Sequence, residues 1–217
     1  MRTLTASTIS LPQDSPRHDR PADRAPATAP SSRGSDHSPR TAAGADVQFE
    51  EDYPRDGLYG PMHWLDDRGI TALLAPYISE GWGGDDYARI GGLEGADARR
   101  LLSLLPRLAR GDRQNNAPTI ATLLRAAASV DGLTLEGYVI RAPRRDERVS
   151  IDTVCVPESA ISAITGSLAP EQACPSYLHW LALARVLAVP ADAPAPDEIR
   201  FLTRAGSSER WWWAWWD

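Results

Sequence analysis

The chain has 217 residues, and its 29 acidic and 23 basic side chains give a formal net charge of −6. An acidic chain lacks the basic face that neutralises phosphates, so this balance argues against general nucleic-acid binding. All the basic residues are Arg, and the absence of Lys excludes Schiff-base catalysis, the Walker A site and the protein-kinase ATP site.

Residues 1–46 are predicted to be a disordered tail rich in Pro, Ser and Arg. All 16 aromatic residues lie at or after Phe49, so this stretch cannot bury enough apolar surface to offset the ordering of its backbone. A translation start placed upstream of the true one is an alternative explanation for the same composition. The sequence shows no secretory signal and no apolar run of membrane length, so we expect a cytoplasmic protein.

Residues 47–217 are expected to fold as a single domain with a sizeable core. Helical spacing of apolar residues predicts three helices in its first half. Their stripes are Ile70, Leu73, Leu74 and Tyr77; Leu101, Leu104, Leu105 and Leu108; and Ile120, Leu123, Leu124 and Ala127. Asp67 and Gly81 are expected to cap the first helix, and Asn116 the third, with Pro118 in its first turn. Pro76 and Pro106 should limit the regularity of the first two helices.

Alternating apolar and polar residues in the second half predict two antiparallel hairpins. The first pairs 133–140 with 149–156, and the second pairs 199–203 with the Trp-rich C-terminus. Between the hairpins, two helical patterns occur at 158–166 and 176–188, and the second places Tyr177, Trp180, Leu181 and Ala184 on one face. This order indicates an α+β fold, with four or five helices packed on a small antiparallel sheet.

The C-terminal strand concentrates five of the eight Trp residues in the last seven positions. A strand places Trp211, Trp213 and Trp215 on one face, and Trp212, Ala214 and Trp216 on the other. Five indoles represent roughly 1,000 Å² of mostly apolar surface, more than a soluble monomer usually exposes. We therefore expect one Trp row to pack on the helices of the domain, while the other meets more of the chain or another molecule. All five Trp residues are candidates for partner binding.

A weaker candidate is a ligand site at the entrance of the third helix, where Arg113, Gln114, Asn115 and Asn116 follow Asp112. Helix-start N–H groups and a guanidinium suit a carboxylate or a phosphate. The alternative is a capped, solvated connection between two helices. A second segment, 81–95, resembles the strand, glycine turn and helix that hold phosphates, but Ile90 replaces the first glycine and Glu94 would repel an anion. A turn followed by a helix start is the favoured interpretation.

No metal or cofactor is expected. Cys155 and Cys174 form no CxxC motif, and a zinc site would have to gather them with His63 and His179 at spacings that match no zinc finger. The common catalytic motifs are absent, and adjacent carboxylates such as Asp66 and Asp67 usually cap helices or face solvent.

These observations favour a non-enzymatic protein-binding module, of the inhibitor, immunity or adaptor type, that uses its acidic surface and Trp-rich strand. Subtracting the tail leaves 17 Arg and 24 acidic residues in the domain, a net charge of −7, which suits solubility or a basic partner. The Trp-rich strand leaves both a protein partner and self-association open. The alternative is a small enzyme or an anion-binding or nucleotide-binding protein whose site lies near residues 112–116. The sequence does not identify the partner.

Overall fold

The computed structural model describes residues 57–79, 81–82, 84, 86–165, 177–203 and 208–217. The predicted tail lies outside these residues, as does Cys174. The described residues form seven α-helices and five strands. The helices are α1 (Trp64–Asp67), α2 (Ile70–Leu74), α3 (Gly95–Leu104), α4 (Arg107–Arg110), α5 (Ile120–Ser129), α6 (Glu158–Thr165) and α7 (Tyr177–Val186). The strands are β1 (Tyr87–Leu93), β2 (Thr134–Ile140), β3 (Arg148–Pro157), β4 (Glu198–Thr203) and β5 (Arg210–Trp215).

The five strands form one antiparallel sheet in the order β1-β2-β3-β5-β4, which confirms the α+β class. Both predicted hairpins are present, and the pairing of β3 with β5 joins them. No helix in the described part of the chain is long and apolar enough to cross a membrane.

Strand β1 was not among the predicted strands, since residues 90–95 were interpreted as a turn and a helix start. Two consecutive glycines weaken the sequence signal for this strand, because glycine is depleted in sheets. Gly92 has φ 79°, and the β1–β2 register shifts between Ile90 and Leu93, so the glycines form a bulge inside β1. The chain then passes from Leu93 through Glu94 directly into α3.

The first predicted helix is divided in two. α1 ends at Asp67, and α2 starts after Gly69, whose φ is 71°. Asp67 therefore does not cap the helix that contains the apolar stripe. A 3₁₀ turn, Ala75–Tyr77, accommodates Pro76 and ends well before Gly81.

Three other helices also differ from the predictions, mainly at their ends. Pro106 separates α3 from α4, and Leu108 is exposed, whereas Leu101 and Leu105 of the same stripe are buried and Leu104 is partly buried. α5 is capped by Thr119, whose hydroxyl oxygen accepts a hydrogen bond from the N–H of Thr122. Asn116 and Pro118 therefore precede the helix. On α7, Trp180 and Ala184 are buried, whereas Tyr177 is exposed.

One face of the sheet, here called the inner face, packs against the helices. It contributes apolar side chains from β3 and β5, including Val154, Val156, Trp212 and Ala214. The ring of Trp180 on α7 meets Trp216 edge to face, with their centroids 6.2 Å apart. Burial of this face is the main source of stability in a fold of this kind.

A bulge in β3 changes which side chains lie on the opposite face of the sheet. Glu136 pairs with Thr153, but the next residue, Gly137, pairs with Ile151, so Asp152 is the extra residue. A bulge lets two consecutive residues face the same side. Asp152 and Thr153 therefore both lie on the face away from the helices, and the Thr153 hydroxyl donates a 2.8 Å hydrogen bond to Asp152.

Candidate binding face of the sheet

The face away from the helices, here called the outer face, combines partly exposed aromatic rings with charged side chains. β1 and β2 contribute Tyr87, Arg89, Glu136 and Tyr138; β3 contributes Ser150, Asp152, Thr153 and Cys155; β5 and β4 contribute Trp211, Trp213, Trp215, Glu198, Arg200 and Leu202. These residues share a face because opposed residues in antiparallel strands point to the same side.

Arg89 and Asp152 form an ion pair across β2. The Arg89 Nη1 atom donates to Asp152 Oδ2 at 2.7 Å, and Nη2 lies 3.4 Å from Oδ1. The Asp152 side chain is only 7% exposed, so this contact is shielded from water. Charge-assisted bonds of this geometry are strong and directional, and they fix both side chains on the sheet.

Glu136 lies near this pair but has no ion-pair partner of its own among the described residues. Its Oε1 atom accepts a 3.7 Å hydrogen bond from the Cys155 thiol, and the Trp213 side chain also hydrogen-bonds its carboxylate. Burial raises the pKa of Glu136, and the Cys155 hydrogen bond and the Arg89 charge only partly oppose this effect. Ionisation of Glu136 in the folded chain therefore costs free energy.

An aromatic platform adjoins Glu136. The rings of Trp213 and Trp215 are stacked at 6.3 Å with an interplanar angle of 19°. The Arg200 guanidinium lies 5.4 Å from the centroid of a Trp213 ring, and its Nε atom donates to Glu198 at 2.6 Å. Trp215 is opposite Glu198 and Trp213 is opposite Arg200 in the β4–β5 ladder, so pairing places these groups side by side.

A second aromatic group lies at the β1 side of the outer face. Tyr87 stacks on Tyr138 at 5.7 Å, and Arg148 Nη2 donates to the Tyr138 hydroxyl at 3.0 Å. The Oε1 atom of Gln114 accepts hydrogen bonds from the Tyr138 hydroxyl at 2.9 Å and from the Ser150 hydroxyl at 3.1 Å.

The four predicted ligand residues do not converge on one site. Gln114 is half-buried and its amide oxygen is engaged with the sheet, whereas Arg113, Asn115 and Asn116 are exposed. Asn115 has φ 46°, the left-handed conformation that Asn tolerates in turns. The segment thus serves as a connection between α4 and α5 that is fastened to the sheet by Gln114.

The predicted partner-binding Trp residues fall into two rows, as strand geometry requires. Trp212 and Trp216 are 1% and 0% exposed on the inner face, so they cannot touch a partner in the folded chain. Trp211, Trp213 and Trp215 remain partly exposed on the outer face. Only this row is open to another molecule.

A cavity of about 420 Å³ lies at the start of α3, away from residues 112–116 and from His63. Tyr77, Glu94, Asp97 and Asp131 are among its lining residues, and the Tyr77 hydroxyl donates to Asp97 at 2.6 Å. Three carboxylates at a helix start repel anions. This cavity, and the glycine segment that leads into it, therefore do not favour phosphate binding.

Three of the four residues considered for zinc are described, and they lie in different elements of the structure. His63 precedes α1 with an exposed side chain, whereas His179 is buried against the rings of Phe201 and Trp212. Cys155 lies beside Glu136 on the outer face.

The sequence predicts two Trp rows but not which of them is exposed, and it does not single out the charged residues beside the exposed row. Arg89, Glu136 and Asp152 come from three strands, and only strand pairing brings them together. For Glu136, the available signal is a charged residue at an outward position of the alternating strand β2.

Comparison with known proteins gave no match: no protein-family model, no curated protein and no solved structure corresponds to this chain.

Proposed function

We propose that this chain is a protein-binding module whose outer face docks onto a partner. The observation that supports it is the row of Trp211, Trp213 and Trp215, which stays partly exposed on the outer face of the sheet. An indole buries ~150–250 Å², and Trp is the residue type most enriched among the side chains that dominate binding energy.

The charges of the outer face also suit a protein interface. Arg89 is paired with Asp152, and Arg200 is paired with Glu198, so much of the charge is neutralised within the face. Pre-paired charges can be covered by a partner at a smaller desolvation cost than unpaired ones. Aromatic rings interleaved with arginines are typical of the cores of protein interfaces.

The position of the Trp row makes it rigid as well as accessible. β5 is held between β3 and β4, and its inner row is anchored in the core through Trp212 and Trp216. A partner that covers the outer row therefore meets side chains whose backbone is already ordered, which lowers the entropy cost of binding. The net charge of −7 on residues 47–217 favours a partner with a basic surface.

The test compares Trp215→Ser with Leu108→Ser, which changes an exposed apolar residue on α4 and serves as the matched control. Self-association is measured by sedimentation, and partners are captured from the native cell and identified by mass spectrometry. Trp215→Ser is expected to weaken the association by about tenfold or more without changing the circular dichroism spectrum, while Leu108→Ser leaves it unchanged.

Two results would contradict the proposal. One is a wild-type chain that neither self-associates nor captures a stoichiometric partner. The other is an association that survives in Trp215→Ser with unchanged affinity.

A further inference from the structure

The outer face has a notch beside the Glu136 carboxylate. On the β1 side, Gly91 provides no side chain to cover it. A Cβ atom added to Gly91 would come no nearer to a non-neighbouring atom than 3.9 Å, the distance to Cγ of Glu136, and one added to Gly92 would meet nothing within 4 Å. The Glu136 side chain is therefore open toward β1 and closed toward β5 by Trp213.

The groups around this notch do not neutralise the charge of Glu136. Arg89, whose positive charge acts on Glu136, is engaged by both carboxylate oxygens of Asp152. Within the part of the chain that the structure describes, the direct hydrogen-bond donors to Glu136 are the Cys155 thiol and the Trp213 side chain, which carry no charge. When the hydrogen-bond donors to a half-buried carboxylate are neutral, a ligand that places a cation next to it stabilises its charged form strongly.

We propose that the Glu136 notch receives a basic side chain, Arg or Lys, from the protein partner. This inference rests on the proposed function, because it assigns a contact within the same outer face. The partner's cation would approach over Gly91, contact the Glu136 carboxylate and lie against the Trp213–Trp215 stack. Arg200 provides the same combination within the chain, since it lies over a Trp213 ring and pairs with a carboxylate.

The acidic balance of the domain supports this choice of ligand. A negatively charged molecule would meet the Glu136 carboxylate at the centre of the face, which would repel it. A neutral apolar side chain would bury the Glu136 charge without a partner. A basic side chain avoids both penalties.

The probes are N-acetyl-arginine amide and N-acetyl-lysine amide, with N-acetyl-citrulline amide as the neutral analogue of the arginine probe. Binding is followed through the indole N–H signals of Trp213 and Trp215 in ¹H–¹⁵N spectra of the full chain. We expect saturable shifts with at least one cationic probe and none with the citrulline probe.

Two variants test the site in different ways. Glu136→Gln removes the charge, and Gly91→Val fills the notch without changing any charge; each should abolish the saturable shifts. Asp67→Asn, which removes an exposed carboxylate from α1, is the matched control and should leave them unchanged. The amide spectrum of each variant shows whether it folds.

The inference is overturned if neither cationic probe binds saturably, if the citrulline probe binds equally well, or if both Glu136→Gln and Gly91→Val retain the shifts. The proposed function fails separately, through the behaviour of Trp215→Ser. Loss of partner association in Trp215→Ser, together with unchanged probe binding in both Glu136→Gln and Gly91→Val, would leave the outer face as an interface without a cation site at Glu136.

Discussion

The Glu147 carboxylate, at the end of the β2–β3 connection, accepts a 3.1 Å hydrogen bond from the backbone N–H of Leu65, 82 residues earlier in the chain. Its other oxygen accepts a 2.8 Å bond from the N–H of His63. The Trp64 indole N–H donates to the backbone carbonyl of Glu147 at 3.2 Å. One residue of the hairpin connection therefore completes the hydrogen bonding at the start of α1, a helix whose four residues provide no side-chain cap.

Glu147→Ala should therefore be among the more destabilising polar substitutions in this chain. It leaves the buried N–H of Leu65 and the partly buried N–H of His63 without their acceptor, which costs about 1–3 kcal/mol of the free energy of unfolding. Glu147→Gln keeps an acceptor and should cost less. Chemical denaturation of both variants measures the difference, and equal stability of Glu147→Ala and the wild type would show that the contact contributes nothing.

The burial of Glu136 should make the free energy of unfolding depend on pH. Its pKa is raised in the folded chain, so both states are protonated below the ordinary value of 4.5 and the full stability is present there. As the pH rises through the folded-state pKa, the buried carboxylate ionises and stability is lost. Glu136→Gln lacks this loss and should gain stability relative to the wild type as the pH rises above 4.5.

This comparison uses the difference between two proteins because burial also raises the pKa of Glu147, which contributes with the same sign in both. Denaturation of wild type and Glu136→Gln across the pH range gives the difference directly. A difference that stays constant as the pH rises above 4.5 would mean that Glu136 titrates normally.

Gly137 is the glycine that should tolerate a side chain least. It lies at the β2–β3 bulge, where an added Cβ atom would fall 2.9 Å from the Cα atom of Ile151 and closer still to the Ser150 carbonyl oxygen. Gly137→Ala is expected to cost about 3 kcal/mol, because the neighbouring backbone must move. Gly91→Ala is the matched control in β1, since its Cβ atom has space, and it should be nearly neutral. Thermal unfolding compares the two, and equal melting temperatures would contradict the prediction.

Local sequence patterns were sufficient to predict four of the five strands. Alternation marks β2 and β3, and the strict period of two places the two Trp rows on opposite faces without any knowledge of the fold. The strand that escaped prediction, β1, contains Gly91 and Gly92, which provide no alternating side chains and form a bulge that breaks the period.

The outer face could be predicted only in part, because it depends on which strands become neighbours. Glu136 and Trp213 are far apart in the sequence, and they meet because β3 pairs with both β2 and β5. The bulge at Asp152 turns that residue toward Arg89, and no local pattern marks its position. Gln114 was identified by its polar surroundings, but its partners Tyr138 and Ser150 belong to strands that follow it in the chain.

The two Trp rows should differ sharply in their contributions to folding. Trp212 is 1% exposed and lies against Phe201 and His179, so Trp212→Ala should cost about 3–5 kcal/mol of the free energy of unfolding. Trp215 is on the same strand but partly exposed, and Trp215→Ala should cost substantially less, because less apolar surface is lost. Urea denaturation of both variants tests the difference. If the two were equally destabilising, the outer row would also be structural, and its role as a binding surface would lose its physical basis.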